Sequence, residues 1–289
     1  MDIAIYLAIV IASVTQSSST KAFNRHSESS SVFNALKAFT ALVMFALMAV
    51  GGFTFHMPTL VFGLLFGASM CLSMYAGYRA LCLGPMAITS MLVSFSIIVP
   101  LLWGITFANE HLTTLSTVAL VMLFCAILLT NLDKILGRSG GASVKKDSYS
   151  LWLFFVVTTF LCNGCSSVLQ KQYTALYDKA YNDEFMFFAM LLCAVIYVSI
   201  AVTKNSIAEI RRVKNKWLGI LAGVTNGLAS FFTLLLAGFE NASVLFPIIS
   251  AGTLLGVILC GRFLFRERLK LNHYAALVLG ICAVVFLKL

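Results

Sequence analysis

Charged residues divide this chain into long apolar stretches. With Asp, Glu, Lys and Arg as boundaries, uncharged segments run over 3–20, 38–78, 80–109, 111–132, 148–170, 185–203, 217–239, 241–261 and 271–287. Each can cross a hydrocarbon core, which takes about 17–25 helical residues. The second is too long for one helix and contains Gly51, Gly52, His56 and Pro58, a turn cluster that splits it in two. The pattern therefore predicts ten helices, over 3–21, 33–51, 59–80, 85–106, 112–132, 150–171, 184–203, 216–237, 241–263 and 270–288. Helix is the expected state because backbone polar groups in lipid must be satisfied within the segment. The first stretch has no Lys or Arg ahead of it and no small-x-small motif before Lys21, so it reads as a span rather than a cleaved leader.

The polar stretch 134–149, rich in Gly, Ser and Lys, separates a first half, 1–133, from a second, 150–289. Sliding one half along the other without gaps produces an echo over the last two helices of each. Ala80 meets Ala237, Gly104 meets Gly261, Glu110 meets Glu267 and Leu112 meets Leu269, and the matching continues through Cys125/Cys282 and Ala126/Ala283. Chance pairings of Leu and Ala are common in apolar helices, so the paired Glu in equivalent loops carries the inference of a repeat. Five helices per half is an odd number, which turns the second half upside down. Charge agrees: loops 2–3 and 4–5 lack Lys and Arg, whereas their equivalents 7–8 (Lys204, Arg211, Arg212, Lys214, Lys216) and 9–10 (Arg262, Arg266, Arg268, Lys270) are basic. The expected fold class is an all-α integral membrane protein of ten transmembrane helices, built as two inverted five-helix repeats around a cytoplasmic linker.

Composition excludes the soluble classes. The chain has 289 residues, 60% of them hydrophobic and only 11% charged, where soluble proteins average about 25% charged. A formal charge of +9 would suggest nucleic acid in a soluble protein. Here it reports orientation, since Lys and Arg collect in cytoplasmic loops, and no nucleic-acid partner is expected. Placing the basic loops in the cytoplasm leaves only Lys171, Lys179 and Lys288 on the other side, so both termini are expected outside a plasma or inner membrane. The 8 cysteines lie in apolar runs as small hydrophobes, without a disulfide framework. The expected partners are the bilayer and a small-molecule solute; oligomeric state is left open.

The run Tyr78-Arg-Ala-Leu-Cys-Leu-Gly-Pro-Met-Ala, the next helix with Ser90, Ser94 and Pro100, and then Asn109-Glu110-His111-Leu112 resemble the EamA-type module of the drug/metabolite transporter superfamily. Ala237-Gly-Phe-Glu-Asn-Ala-Ser-Val, through Pro247 to Arg266-Glu267-Arg268-Leu269, resembles a second copy. The likeness covers nearly the whole chain in helix number, repeat and linker. It implies an alternating-access carrier whose cavity is lined by helices 1, 3, 4, 6, 8 and 9, with 5 and 10 peripheral. It also places Lys37 where the family often has Arg. Family members commonly keep basic residues near the N-terminus and end inside, whereas the charge pattern here points outward.

Inverted repeats independently predict a site near the bilayer midplane. Polar side chains within spans point to it, because lipid penalises them unless they face a cavity or another helix. Helix 1 closes with Thr15-Gln16-Ser17-Ser18-Ser19-Thr20, and helix 6 carries Asn163-Gly164-Cys165-Ser166-Ser167 and then Gln170. Asn163, Ser166 and Gln170 share a face at spacings of three and four, as do Gln16 and Ser19. Helix 8 adds Asn226 and Ser230, helix 3 adds Tyr75 and helix 4 adds Ser94, completing the candidate substrate contacts. Packing competes for each Ser, since small polar residues are enriched wherever membrane helices approach closely. Gln16, Asn163 and Asn226 together favour a cavity.

Other features read as structural. Cys162-x-x-Cys165 lies inside a helix with no second pair and no nearby His, so it is assigned to packing; no metal, cofactor or catalytic residue is expected. Glu110 and Glu267 each stand before a helix whose positive end suits a carboxylate. Lys21 and Lys171 read as snorkelling ends of helices 1 and 6, and Trp152 and Trp217 as interface anchors. All 11 acids lie at or beyond expected helix ends. A proton-coupled exporter of cationic drugs needs a buried carboxylate, so neutral, zwitterionic or anionic solutes are favoured. The expected function is secondary transport of a small polar metabolite such as an amino acid, not enzymatic. A multidrug/proton exporter is the alternative within transport, and a non-transporting membrane scaffold is the alternative of another class.

Overall fold

The computed structural model describes residues 2–24, 30–49, 52–83, 89, 93–111, 113–135, 149–177, 181–204, 213, 215–264 and 271–288. Among them the regular structure is helical throughout: α1 (Asp2–Asn24), α2 (Ser30–Ala49), α3 (Met57–Leu83), a 3-10 turn (Phe95–Ile97) running into α4 (Ile98–Phe107), α5 (Thr114–Ile135), α6 (Tyr149–Tyr177), α7 (Asn182–Lys204), α8 (Lys216–Ala237), α9 (Ala242–Phe263) and α10 (Leu271–Lys288). Seven of these helices, α1 to α3 and α6 to α9, are long and apolar enough to cross a membrane; Phe95–Phe107, Thr114–Leu129 and Tyr274–Leu287 are shorter apolar stretches. This is the build of an all-α, multi-pass membrane protein.

The break expected in the second apolar stretch falls between Ala49 and Met57, and Pro58 occupies the first turn of α3, where its missing N–H is not needed. Two expected spans differ. The described part of helix 4 is interrupted at Phe95–Ile97, because Pro100 lacks the N–H that would bond the Ser96 carbonyl four residues back. Helix 6 runs past its expected end at 171 to Tyr177. Tyr173 accounts for the extension: it is fully buried, stacks on Phe185 at 4.4 Å and donates its hydroxyl to the Tyr181 carbonyl at 3.1 Å.

The chain forms two compact units, one of Met1–Ala68 with Leu169–Phe239, the other of Ser69–Val168 with Glu240–Leu289. Each unit draws on both halves of the sequence, and residues 136–148 of the 134–149 linker lie outside the described residues.

In the first unit α1 packs on α8, and α2 packs on α7 and α8. Phe23, near the end of α1, meets Leu218, near the start of α8, so these two helices run antiparallel. Gly219, Gly223 and Gly227 form a stripe along α8 that lets α2 approach closely: a Cβ on Gly223 would stand 2.6 Å from the Lys37 carbonyl oxygen and 2.7 Å from Thr40 Cβ. The segment before α3 is tied to α7, where Thr54 donates its backbone N–H (3.1 Å) and hydroxyl (3.3 Å) to Glu184 Oε1. His56 stacks on Tyr181 with ring centroids 4.7 Å apart, and its Nδ1 lies 2.9 Å from Thr59 Oγ1, itself 3.0 Å from the Tyr173 hydroxyl.

In the second unit α5 packs on α10, and α9 packs on α10 and α4. Two sequence assignments are corrected here. Trp152 is no interface anchor: it is 5% exposed, sits in a cluster with Ala80 and Val156, and donates its indole N–H to Thr89 Oγ1 at 2.9 Å. Trp217, at 60% exposed, keeps a surface position. Glu110 does not cap the helix that follows it. Its two carboxylate oxygens accept the backbone N–H groups of Ala242 (2.8 Å) and Ser243 (2.9 Å), the open start of α9. A left-handed Asn109 (φ 51) turns the chain so that the Glu110 N–H returns to the Gly104 carbonyl at 3.0 Å. Gly104 must be Gly, since a Cβ there would lie 2.6 Å from Glu110 Oε2. Glu267 lies outside the described residues.

Candidate functional site

In the first unit two of the expected polar residues meet. Gln16 of α1 donates from Nε2 to Oδ1 of Asn226 in α8, at 3.1 Å. Asn226 lies midway along α8 (Lys216–Ala237), about 15 Å from either end at 1.5 Å per residue, which is half of a core of about 30 Å. Gln16 is half-buried and Asn226 is 7% exposed. Ser19, one turn along α1, is buried, and Ser230, one turn along α8, is half-buried. The hydroxyls of Thr15, Thr20, Thr225 and Thr233 are bonded to carbonyls of their own helices, at 2.7–2.8 Å. The Gln16–Asn226 bond thus links α1 to α8.

Gln170 is buried in the same unit. Its neighbour Lys171 corrects another expectation. It lies inside α6 rather than at its end, and donates from Nζ to the Ala237 carbonyl oxygen at 3.0 Å. A cation at the C-terminus of α8 satisfies a carbonyl that has no helical partner.

The second unit holds Asn163, Ser166, Tyr75 and Ser94. Asn163, midway along α6, donates from Nδ2 to Ser96 Oγ at 2.9 Å. The adjoining Gly164 allows Val99 of α4 to approach within the space of a Cβ. Ser166 bonds back to the Cys162 carbonyl at 2.9 Å. Tyr75 is largely exposed, its ring edge-on to Phe155 at 6.4 Å, and Ser94 precedes the 3-10 turn without capping it by its side chain. The expected face of Asn163, Ser166 and Gln170 is therefore shared out, two residues to the second unit and one to the first. Ser96 was not among the expected residues. Its signal was Pro100 four positions on, which has no N–H for the Ser96 carbonyl; the Ile98 N–H bonds it instead, in the 3-10 turn.

No family model and no curated protein matches the chain. A solved structure described only as "Crystal structure of protein" is similar to it, with a TM-score of 0.79 over 98% of this chain and 94% of that one, at 13% identity. At that identity the similarity establishes the fold alone.

Proposed function

We propose that the protein is a secondary transporter that carries a small polar metabolite across a membrane by alternating access. The Gln16–Asn226 bond supports this best. Two amides placed halfway along apolar helices are costly in lipid unless they face a cavity or another helix, and together with Asn163 they favour a cavity. Interhelical polar bonds average only about 0.6 kcal/mol in one well-studied bundle, a small return for packing alone.

The proposal includes ten spanning helices in two inverted repeats of the EamA type, 1–133 and 150–289, with both termini outside. The Gly104–Glu110 geometry supports an internal repeat. The glycine is needed because it admits the glutamate, and the same pair recurs at the same separation as Gly261 and Glu267.

The test is counter-flow of a panel of radiolabelled solutes in proteoliposomes. At least one solute should exchange saturably, and Asn226→Leu should weaken its apparent affinity with near-normal melting in detergent. A folded protein that exchanges nothing is a scaffold. Reporter fusions after Ala142 should read cytoplasmic and those at Leu289 external; a cytoplasmic Leu289 overturns the orientation and leaves the repeat intact.

A further inference from the structure

Helix α2 carries a single charge, Lys37. It lies within the apolar stretch Ser31–Ala49, about 9 Å from the start of that stretch at 1.5 Å per residue. A lysine at such a depth ordinarily runs its stem along the helix and sets its ammonium among the headgroups. Lys37 turns inward instead, and is 9% exposed. Its backbone is set against Gly223 of α8, and its side chain interacts electrostatically with Cys193 of α7. The ammonium is therefore held where α2, α7 and α8 pack together, inside the first unit.

These helices bring it no counter-charge. Among the described residues no hydrogen bond or ion pair engages Lys37. Cys193 is a neutral neighbour whose thiol donates to the Gly67 carbonyl oxygen at 3.6 Å. The carboxylates of α7, Asp183 and Glu184, stand in its first turn. Glu184 is tied to Thr54 there, about 14 Å along α7 from Cys193 at 1.5 Å per residue. The remaining charges on the two packed helices, Lys204 and Lys216, are cations at helix ends. Nor is Nζ sealed off as a buried, partnerless atom. Without a protein partner it thus keeps an opening through which one can arrive. An ammonium within a span is costly unless something pairs with it, and such groups characteristically line solute or ion pathways.

We propose that Lys37 pairs with a carboxylate of the transported solute at the junction of α2, α7 and α8. One ammonium with no second cation beside it balances one negative charge, and a phosphate dianion would leave a charge unmet. Lys171 of the same unit is engaged at the C-terminal end of α8, where it donates to the Ala237 carbonyl. Gly223 stands one turn before Asn226 on α8, so Lys37 adds its charge beside the stretch that holds the Gln16–Asn226 bond. The inference rests on the transport reading and names its substrate class, a small solute bearing one carboxylate.

The experiment uses acids matched with analogues in which a neutral group replaces the carboxylate: lactate with lactamide, nicotinate with nicotinamide, leucine with leucinol. Purified protein is tested for binding, by ligand-induced thermal stabilisation, and for exchange, by counter-flow in proteoliposomes. At least one acid should bind with at least about tenfold higher apparent affinity than its analogue, which a single charge-assisted hydrogen bond is enough to supply. Lys37→Met should remove that preference with melting no lower than the parent's, because it takes out an uncompensated charge; Lys37→Arg should retain the preference. In the parent, the acid and not its analogue should also shield Lys37 from reductive methylation by formaldehyde, read by peptide mass spectrometry, which holds whether or not the Met variant folds. Binding of no acid, equal affinity for acid and analogue, an unchanged preference in Lys37→Met, or a Lys37 that is never methylated or is never shielded overturns the inference. Exchange of neutral solutes alone overturns it and leaves the transport reading standing. Acid-selective binding without exchange of any solute keeps the inference and removes transport.

Discussion

Glu110→Gln takes one acceptor from a place that needs two. In the parent, both carboxylate oxygens accept a backbone N–H at the start of α9, at 2.8 and 2.9 Å, and the side chain is 8% exposed, so water cannot substitute. Gln keeps one carbonyl oxygen and turns an NH2 group toward the second donor. A bond to a charged acceptor is worth about 1.5–3 kcal/mol, and a buried donor left without a partner costs about 1–3 kcal/mol. The two figures overlap, which gives an expected loss of about 2–4 kcal/mol. Gly104→Ala attacks the same carboxylate from the other side: its Cβ would stand 2.6 Å from Oε2 and 2.9 Å from Cδ, so the carboxylate must leave α9. Both substitutions act through one contact, and the double variant should fall short of their sum by about 1 kcal/mol or more. Reversible unfolding in mixed micelles of the parent, both single variants and the double variant measures this. A Glu110→Gln variant within about 0.5 kcal/mol of the parent, or strict additivity in the double variant, would refute the reasoning.

Gly223→Ala should destabilise by about 1–3 kcal/mol through collision with the α2 backbone at Lys37. Gly219→Ala should cost less, since it meets only the Leu36 side chain, at 3.0 Å and beyond; a reversed order in thermal unfolding overturns the packing of α2 on α8. The Tyr181 carbonyl can only accept, so Tyr173 donates to it, Thr59 donates to Tyr173, and neutral His56 must carry its proton on Nδ1. Nitrogen NMR of labelled histidine checks that tautomer, and Thr59→Val should release it. Exchange should persist with an ionophore present at matched pH, because the two acids whose carboxylate bonds are described, Glu110 and Glu184, are held by backbone donors rather than set at a helix midpoint. Complete loss of exchange in the parent would show that transport is coupled to protons and overturn this reading.

The apolar runs determined the helical class by themselves. Lipid offers no partner to a backbone N–H, so a long uncharged stretch has helix as its available state, and Gly51, Gly52 and Pro58 mark the one break that length demands. The same one-dimensional logic brought out Gln16, Asn163 and Asn226, amides set within uncharged spans. Which residues meet was not legible, because partners are set by the direction in which each side chain leaves its helix and by helices far apart in the chain. Gln16 found Asn226 only through the antiparallel packing of α1 on α8. Glu110 precedes α5, so sequence assigned it there, yet the left-handed Asn109 swings its carboxylate onto α9. Trp152 and Lys171 look like surface anchors when read from position alone. Tertiary packing buried the first against Thr89 and turned the second onto the Ala237 carbonyl at the end of α8, since each polar group took a partner in three dimensions rather than along the chain.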